Sequence, residues 1–472
     1  MATKIKFGTS GWRAIMADEF TVENVRRAVG GIAKYVAAQP LQTGQTSHRV
    51  LVGRDTRFLG ETFVDVAASV LAAAGVVPEV IAEPAPTPAI SYAILDRKAS
   101  GSINFSASHN PPEYNGIKFN AADGAPSLPH VTKAIEEAIA ALPEDAGRVT
   151  GPAKVERVAA DVKPAYLKRI AELVDLKAIK KSGIKIVVDP VWGTGRGYQP
   201  QLLADAGIPV TTVHDYRDVL FGGYAPEPDD HLLAECKAAM KKTGAAIGIA
   251  TDGDADRFGI VDADGTFITA NYVISVLFDY LMETRGWKNG VAKSVATTNL
   301  INAIAERAGV PLFETPVGFK YIGELIIQDK ILIGGEESGG LTIRGHVPEK
   351  DGIIAGLLMA ESVAVRGKSI GAQLKAIFDQ VGSFYSNLDN FRLTPEMKTK
   401  FTEKVKRDPA EIGGLKVGQV VRTDGLKLIF TDGSWVLFRL SGTEPLVRVY
   451  TEARTTDGIS KIAAVAKQWV TE

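Results

Sequence analysis

Short apolar runs that end in polar turns, each followed by apolar residues at helical spacing, recur along this chain and leave few fold classes open. Val50-Leu-Val-Gly-Arg-Asp-Thr-Arg57 reads as a strand feeding a polar turn. Phe63, Val66, Ala67, Val70, Leu71 and Ala74 then recur at helical spacing, Gly75 caps that helix, and 76–81 resumes as a strand. The alternation predicts further strands over 184–190, 210–213, 245–250 and 292–297. It predicts helices over 22–37, 131–141, 165–174, 232–240, 272–281, 301–308, 352–363 and 370–378. Such alternation builds α/β layers whose working loops lie at strand ends. The chain has 472 residues, of which 45% are hydrophobic and 23% charged, enough for roughly three or four cores.

Composition shifts through Pro143-Glu-Asp-Ala-Gly147 and Gly151-Pro152, which places a first boundary near 158. The expected units are 1–158, 159–258, 259–380 and 381–472: three consecutive α/β units with mixed sheets, then a smaller C-terminal α+β unit, around a central cleft. The third is expected to open with a hairpin over 259–268 that turns at Asp264-Gly265. Residues 381–386 read as a linker. Beyond them, apolar and polar residues alternate through 427–430 and 435–438 on either side of Thr431-Asp-Gly-Ser434, a second hairpin, and a helix is expected over 458–470.

The net charge of −1 and pI near 6.6 provide no basic field for nucleic acid or an anionic membrane, so any bound anion must be held by a local site. A single cysteine, Cys236, excludes an internal disulfide framework, and no apolar run reaches the length of a membrane span. The first residues lack the apolar core of a signal peptide, so a cytoplasmic protein is expected, as a monomer or homodimer.

Two polar stretches carry chemistry. In Asn104-Phe-Ser-Ala-Ser-His-Asn-Pro-Pro-Glu-Tyr-Asn-Gly-Ile-Lys-Phe119, the two prolines exclude helix and set Ser108 on a stiff turn beside His109, Asn110 and Lys118. A serine hydroxyl is a poor nucleophile without a base, a cation or a metal, and by itself such a serine more often satisfies turn backbone. In Asp252-Gly-Asp-Ala-Asp-Arg257, alternate carboxylates are separated by small residues, so three hard oxygens can converge as Mg²⁺ requires. An EF-hand would need Gly at position six and Glu at position twelve, where this chain has Arg257 and Ala263. A solvated acidic turn is the plainer alternative, but the cluster follows an apolar strand directly.

These stretches resemble motifs of the α-D-phosphohexomutase family. Residues 106–111 and 115–118 are similar to its phosphoserine loop, and the resemblance implies that Ser108 carries the transferred phosphoryl group. Asp252, Asp254 and Asp256 are similar to the three ligands of its single Mg²⁺, which also touches the serine phosphate; Arg257 then lies near the active site. A phosphoryl dianion beside three carboxylates calls for such an ion on charge grounds alone. Phe7-Gly-Thr-Ser-Gly-Trp-Arg13 is a turn carrying a guanidinium, and its place in the family's motif order brings Arg13 to the site. Thr315-Pro-Val-Gly-Phe-Lys-Tyr321 resembles a loop that phosphoglucomutases set beside the sugar, implying roles for Gly318 and Lys320. Gly334-Gly-Glu-Glu-Ser-Gly-Gly340 resembles the sugar loop, with Glu336 and Ser338 at its hydroxyl-binding positions. Gly340 stands where the family often has His, and His346 is the candidate substitute. Arg439-Leu-Ser-Gly-Thr-Glu-Pro445 resembles the phosphate loop, implying that Arg439, Ser441, Gly442, Thr443 and the following Arg448 grip the phosphate that is not transferred.

The implied activity is interconversion of hexose 1-phosphate and hexose 6-phosphate through a phosphoserine enzyme and a hexose 1,6-bisphosphate, which also acts as activator. Lys118 and His109 are the candidates for proton transfer and charge support. Gly-Phe-Lys320 favours phosphoglucomutase, with phosphomannomutase or dual activity next and phosphoglucosamine mutase after that. A metal-dependent serine phosphatase and a non-catalytic sugar-phosphate sensor are the readings from other classes.

Overall fold

The computed structural model describes residues 4–8, 10–143, 146, 158–441 and 446–471. Four sheets follow one another along the chain. The first has the strand order Trp12–Ile15, Tyr114–Ala121, Gly101–Phe105, Arg49–Arg54, Val77–Ile81, Val158–Ala160. Its last four strands are parallel and the first two antiparallel, so the sheet is mixed. The second sheet runs Phe267–Ile268, Phe258–Asp262, Ile247–Thr251, Ile186–Asp189, Val210–Thr212, and the third Leu312–Thr315, Gly290–Ser294, Ile331–Glu336, Gly340–Ile343. Both combine parallel centres with one antiparallel flank. The fourth sheet, residues 385–453, is antiparallel throughout and carries the terminal helix Thr456–Thr471. Three α/β layers and a C-terminal antiparallel unit are the predicted class.

In the first three sheets a central parallel strand delivers a polar loop at its carboxyl end, where α/β sheets place ligands. Gly101–Phe105 precedes Ser108, Ile247–Thr251 precedes Asp252, and Ile331–Glu336 ends in Glu336 itself. All three strands are buried along their length, which explains the apolar and small residues of Ile247–Thr251 and 331–335, while Gly101–Phe105 also buries the polar Ser102 and Asn104.

The hairpin over 258–268 does not open the third unit. Phe258–Asp262 pairs antiparallel with Ile247–Thr251, from Phe258 opposite Thr251 to Asp262 opposite Ile247, and so completes the second sheet. Asp264-Gly265 marks the turn, but partner choice is set by the buried strand next door. Likewise Val158–Ala160 joins the first sheet beside Val77–Ile81, and the expected linker over 381–386 runs into the strand Tyr385–Arg392.

One apolar core links three units. It runs from Leu51, Ile81 and Ile90 through Tyr166, Ile186 and Ile249 to Leu277, Ile333 and Leu357. The fourth unit has its own core, built on Phe401, Leu428, Phe438, Val449 and Ala466.

Candidate active site

The loops from the first two sheets meet face to face. Ser108 is buried, with φ 53°, and its Oγ donates to Asp252 Oδ2 at 2.6 Å. The approach is possible because residue 253 is glycine: a Cβ there would stand 2.7 Å from the carbonyl oxygen of Ser108. The acidic turn closes on itself, Ala255 N donating to Asp252 O at 3.0 Å and Arg257 N to Asp252 Oδ1 at 3.0 Å. Asp252, Asp254 and Asp256 are all buried, each placing a carboxylate oxygen within 4.8 Å of the others.

Cations and one hydroxyl balance this charge. Lys118 Nζ donates to Asp256 Oδ2 at 2.7 Å and also to Asp254 Oδ2, while Lys350 Nζ lies 3.0 Å from Asp256 Oδ2. Thr87 Oγ1 donates to Asp254 Oδ2 at 2.5 Å and accepts from Asn104 Nδ2 at 2.9 Å. Burial opposes charge on every member. Against it, the Asp254 and Asp256 carboxylates raise Lys118, and the neighbouring ammonium groups hold Asp256 well below its ordinary range. Asp252 has no such partner: burial, then Asp256 and Asp254, push it well above the usual carboxylate value. Asp254 Oδ1 and Asp256 Oδ1 are buried without a hydrogen-bond partner. Three crowded carboxylates, two with an unused oxygen and one driven toward protonation, are the donor set a hard divalent cation fits.

Arg13 Nη1 donates to Asn110 Oδ1 at 2.7 Å, and Arg257 Nη1 to Glu227 Oε1 at 3.2 Å. Burial, then Arg257 and Arg13, drive the His109 ring well below its ordinary pKa, and its Nδ1 is buried with no hydrogen-bond partner. In the third unit Gly318, at φ 134°, donates its N–H to Glu336 Oε1 at 2.7 Å and so orients the carboxylate from the facing loop. Burial, then Glu337, raises Glu336 to about 7. Lys320 is half-buried near Glu336, and Ser338 is exposed on the turn that follows. Glu337 accepts from Ser294 Oγ and Thr297 Oγ1, a bracing contact.

Two features depart from expectation. His346 does not face the sugar loop: it is buried, with Nε2 2.6 Å from Asp351 Oδ2, an oxygen that also accepts from Tyr166 at 2.7 Å. Asp351 Oδ1 meanwhile caps the helix Gly352–Arg366, so the histidine is part of a helix anchor. The missing side chain at 340 is compensated instead by Lys350, which no sequence motif marks. A Cβ on Gly340 would lie 2.2 Å from Lys350 Cδ, so the lysine stem fills that volume and carries its ammonium to Asp256.

In the fourth unit Arg439 and Arg448 face each other across adjacent strands, and Arg439 Nε donates to Asp424 Oδ2 at 2.8 Å. Ser441 N donates to Leu446 O at 2.9 Å, closing the base of the loop between them. Gly442 and Thr443 lie outside the described residues.

Family models for phosphoglucomutase/phosphomannomutase α/β/α domains I, II and III match residues 4–146, 164–265 and 269–381, and the C-terminal domain model matches 394–467. The chain belongs to the α-D-phosphohexomutase family. A phosphoglucomutase/phosphomannomutase of Thermococcus kodakarensis is 34% identical over 456 residues, 96% of this chain and 95% of that one. A phosphoglucosamine mutase of Salinispora arenicola is 32% identical over 95% of this chain and 94% of that one. A solved structure from Thermus thermophilus, provisionally named a phosphomannomutase, has a TM-score of 0.87 at 32% identity over 100% of each chain. As a phosphohexomutase the protein is an isomerase that works by phosphoryl transfer. No helix among the described residues is long and apolar enough to cross a membrane.

Proposed function

We propose that this phosphohexomutase interconverts glucose 1-phosphate and glucose 6-phosphate through phosphorylated Ser108 and glucose 1,6-bisphosphate. The reading is carried by the Ser108 hydroxyl, which sits on a left-handed turn 2.6 Å from one of three clustered carboxylates. Asp252, Asp254, Asp256 and the Ser108 phosphate would hold one Mg²⁺, which supplies neutralisation of the transferred phosphoryl oxygens.

The chain's own groups do the rest. Ser108 Oγ passes its phosphoryl group to a free hydroxyl of the bound monophosphate and later receives the other phosphate of the bisphosphate. Lys118, committed to two carboxylates, supplies fixed positive charge where the hydroxyl approaches. Burial, Arg257 and Arg13 keep the His109 ring neutral, so its free Nδ1 is a hydrogen-bond acceptor for the incoming hydroxyl, and proton transfer is shared between His109 and Lys118 as the two candidates. Arg13 and Arg257 add guanidinium donors around the same pocket. Glu336 accepts from two adjacent sugar hydroxyls, aimed by Gly318, with Ser338 and Lys320 beside it and Lys350 behind. Arg439, Ser441, Gly442, Thr443 and Arg448 hold the resting phosphate, and the sugar turns over between the two transfers.

The four working units are 1–160, 161–268, 269–380 and 381–472, since Val158–Ala160 closes the first sheet and Phe267–Ile268 the second, and the protein acts in the cytoplasm as a monomer or homodimer. The relatives' names divide between glucose, mannose and glucosamine phosphates. Phosphomannomutase activity is the second reading, favoured by the name of the Thermococcus relative, because a carboxylate reading two hydroxyls away from C2 accepts both sugars. A coupled isomerase assay on glucose, mannose and glucosamine 1-phosphates, with and without bisphosphate primer, tests this. Turnover of glucose 1-phosphate that depends on primer supports the proposal; hydrolysis without isomerisation defeats it.

A further inference from the structure

Ser108 holds a left-handed backbone conformation, φ 53°, although it has a β-carbon. Non-glycine residues stay there only where their surroundings over-determine them. Ser106 Oγ accepts from Ser108 N at 2.9 Å, and a second side chain spans the whole turn through its carbonyls. Arg57 is fully buried, and its Nη2 donates to Ser108 O at 2.7 Å and Asn110 O at 2.5 Å. Its Nη1 donates to Pro111 O at 2.7 Å and Tyr114 O at 3.0 Å, and its Nε to Asp55 Oδ2 at 3.1 Å. A guanidinium has five N–H donors, and here each has an acceptor inside the protein. Four of the five acceptors are carbonyls of the serine turn.

The clamp is itself anchored on both sides. Asp55 Oδ1 accepts from Arg57 N at 2.9 Å, and Asp55 N donates to Phe105 O at 2.9 Å, on the strand that leads into the turn. The other face of the guanidinium lies 5.0 Å from the ring centroid of Phe221, in the second unit. Because every donor is used on protein atoms, none is left for phosphate or sugar.

We propose that Arg57 is a positioning residue for phosphoryl transfer, whose planar fork holds the Ser108 turn left-handed so that Oγ keeps its aim in both halves of the cycle. This rests on the reading of Ser108 as the phosphoryl carrier. The hydroxyl's own anchor, its bond to Asp252, uses the very proton that phosphorylation replaces, so it exists in only one state of the cycle. The backbone anchor through Arg57 is independent of that state. Lysine cannot substitute, since an ammonium is a point charge with no fork to span four carbonyls.

The test is Arg57→Lys in the full chain with Mg²⁺, assayed with glucose 1-phosphate and glucose 1,6-bisphosphate primer. Single-turnover phosphorylation of Ser108 by the bisphosphate is followed in parallel by intact mass. A turn that drifts by an ångström predicts a fall of about 100-fold in kcat and in the single-turnover rate. KM is expected to stay within about threefold, because substrate-binding groups are untouched. A folded variant with wild-type kcat, or one whose loss lies wholly in KM, overturns the proposal. Should Arg57→Lys not fold, the pair Asp55→Asn with Arg57→Gln, which leaves no unpaired buried charge, is held to the same expectations. If neither folds, Arg57 serves the fold and the proposal falls. Wild-type protein that is active but never phosphorylated on Ser108 would defeat the underlying reading instead.

Discussion

The first three units and the fourth are built on different terms. A continuous apolar core passes from Leu51 through Ile249 to Leu357, so the Ser108 loop, the acidic turn and the Glu336 loop cannot separate without exposing buried surface. The fourth unit meets this base through a small patch, where Trp435, Leu437 and Tyr450 touch Val295 and Ala296. A handful of polar contacts surround it: Glu452 Oε1 accepts from Asn299 N at 3.0 Å, Lys427 Nζ donates to Val295 O at 2.7 Å, and Asp424 Oδ2 accepts from Val317 N at 3.2 Å. Its connection passes Gly382 at φ 84° and Phe384, whose ring lies 3.6 Å from the Arg454 guanidinium carbon. Transfer demands fixed geometry, whereas gripping either end of a sugar that turns over demands a body able to give way. The proposed division of labour predicts different kinetic signatures for substitutions on the two sides.

The largest effect belongs to the fixed side. Ser108→Ala removes the proposed phosphoryl carrier and should lower turnover by a factor on the order of 10⁶, the scale seen when a covalent nucleophile is deleted. It also leaves the buried Asp252 Oδ2 without its donor, so stability should fall by about 1–3 kcal/mol. Substantial isomerase activity in this variant would end the comparison. In the fourth unit, Arg439→Ala would remove the proposed charge-assisted hydrogen bonds to a phosphate, each worth about 1.5–3 kcal/mol. Its main effect should therefore be a rise in KM of about 10- to 100-fold at smaller cost to kcat. Steady-state kinetics with glucose 1-phosphate separate the two signatures, and a pure kcat defect would place Arg439 outside the grip.

Much of this division is legible in the sequence, because its signals are local. The helix Val22–Ala37 is bounded as expected, with Thr21 accepting from Asn24 N at 3.2 Å and Lys34 in its last turn. The serine and acidic loops stand out as polar clusters directly after buried strands. What escapes a linear reading is pairing at a distance. Nothing within 258–268 says that its first strand lies beside Ile247–Thr251. Lys350 is reported by no periodicity, since its place is made by the absence of a side chain at Gly340. His346 is misplaced by the sequence pattern for the same reason: its partners, Asp351 and Tyr166, come together only when the second and third units pack. Arg57 looks like one more residue of a polar turn, and its four carbonyl acceptors appear only once the Pro-Pro turn has folded over it.

A smaller effect sharpens the fixed side. Burial, reinforced by Glu337, raises the Glu336 carboxyl to about 7, so its carboxylate fraction grows as pH rises through that value. An ionised carboxylate accepts from two sugar hydroxyls more strongly than the neutral acid does, and binding of glucose 6-phosphate should therefore strengthen several-fold across that window. The substrate phosphate titrates in the same region, near 6, for wild type and variant alike. Calorimetric titrations of Glu336→Gln should retain that shared step and lose the one near 7. Identical profiles would remove Glu336 from the sugar.

The smallest effect should appear at the seam. Burial, and then Lys293, pulls the Lys427 ammonium down from its ordinary 10.5 to about 8, at the spot where it reaches across to Val295. Because the folded value lies below the unfolded one, the unfolded chain binds more protons between pH 8 and 10.5, and stability must rise with pH across that window. Lys427→Met carries no such proton. The stability of wild type relative to this variant should therefore grow from pH 8 to 10 by up to roughly 1.4 kcal/mol per unit, visible in thermal unfolding. Ile249→Val, in the shared core, provides the matched control and should give an offset that does not change with pH. If both differences are flat, the seam is no more responsive to charge than the core, and the contrast between the two sides rests on apolar contact alone.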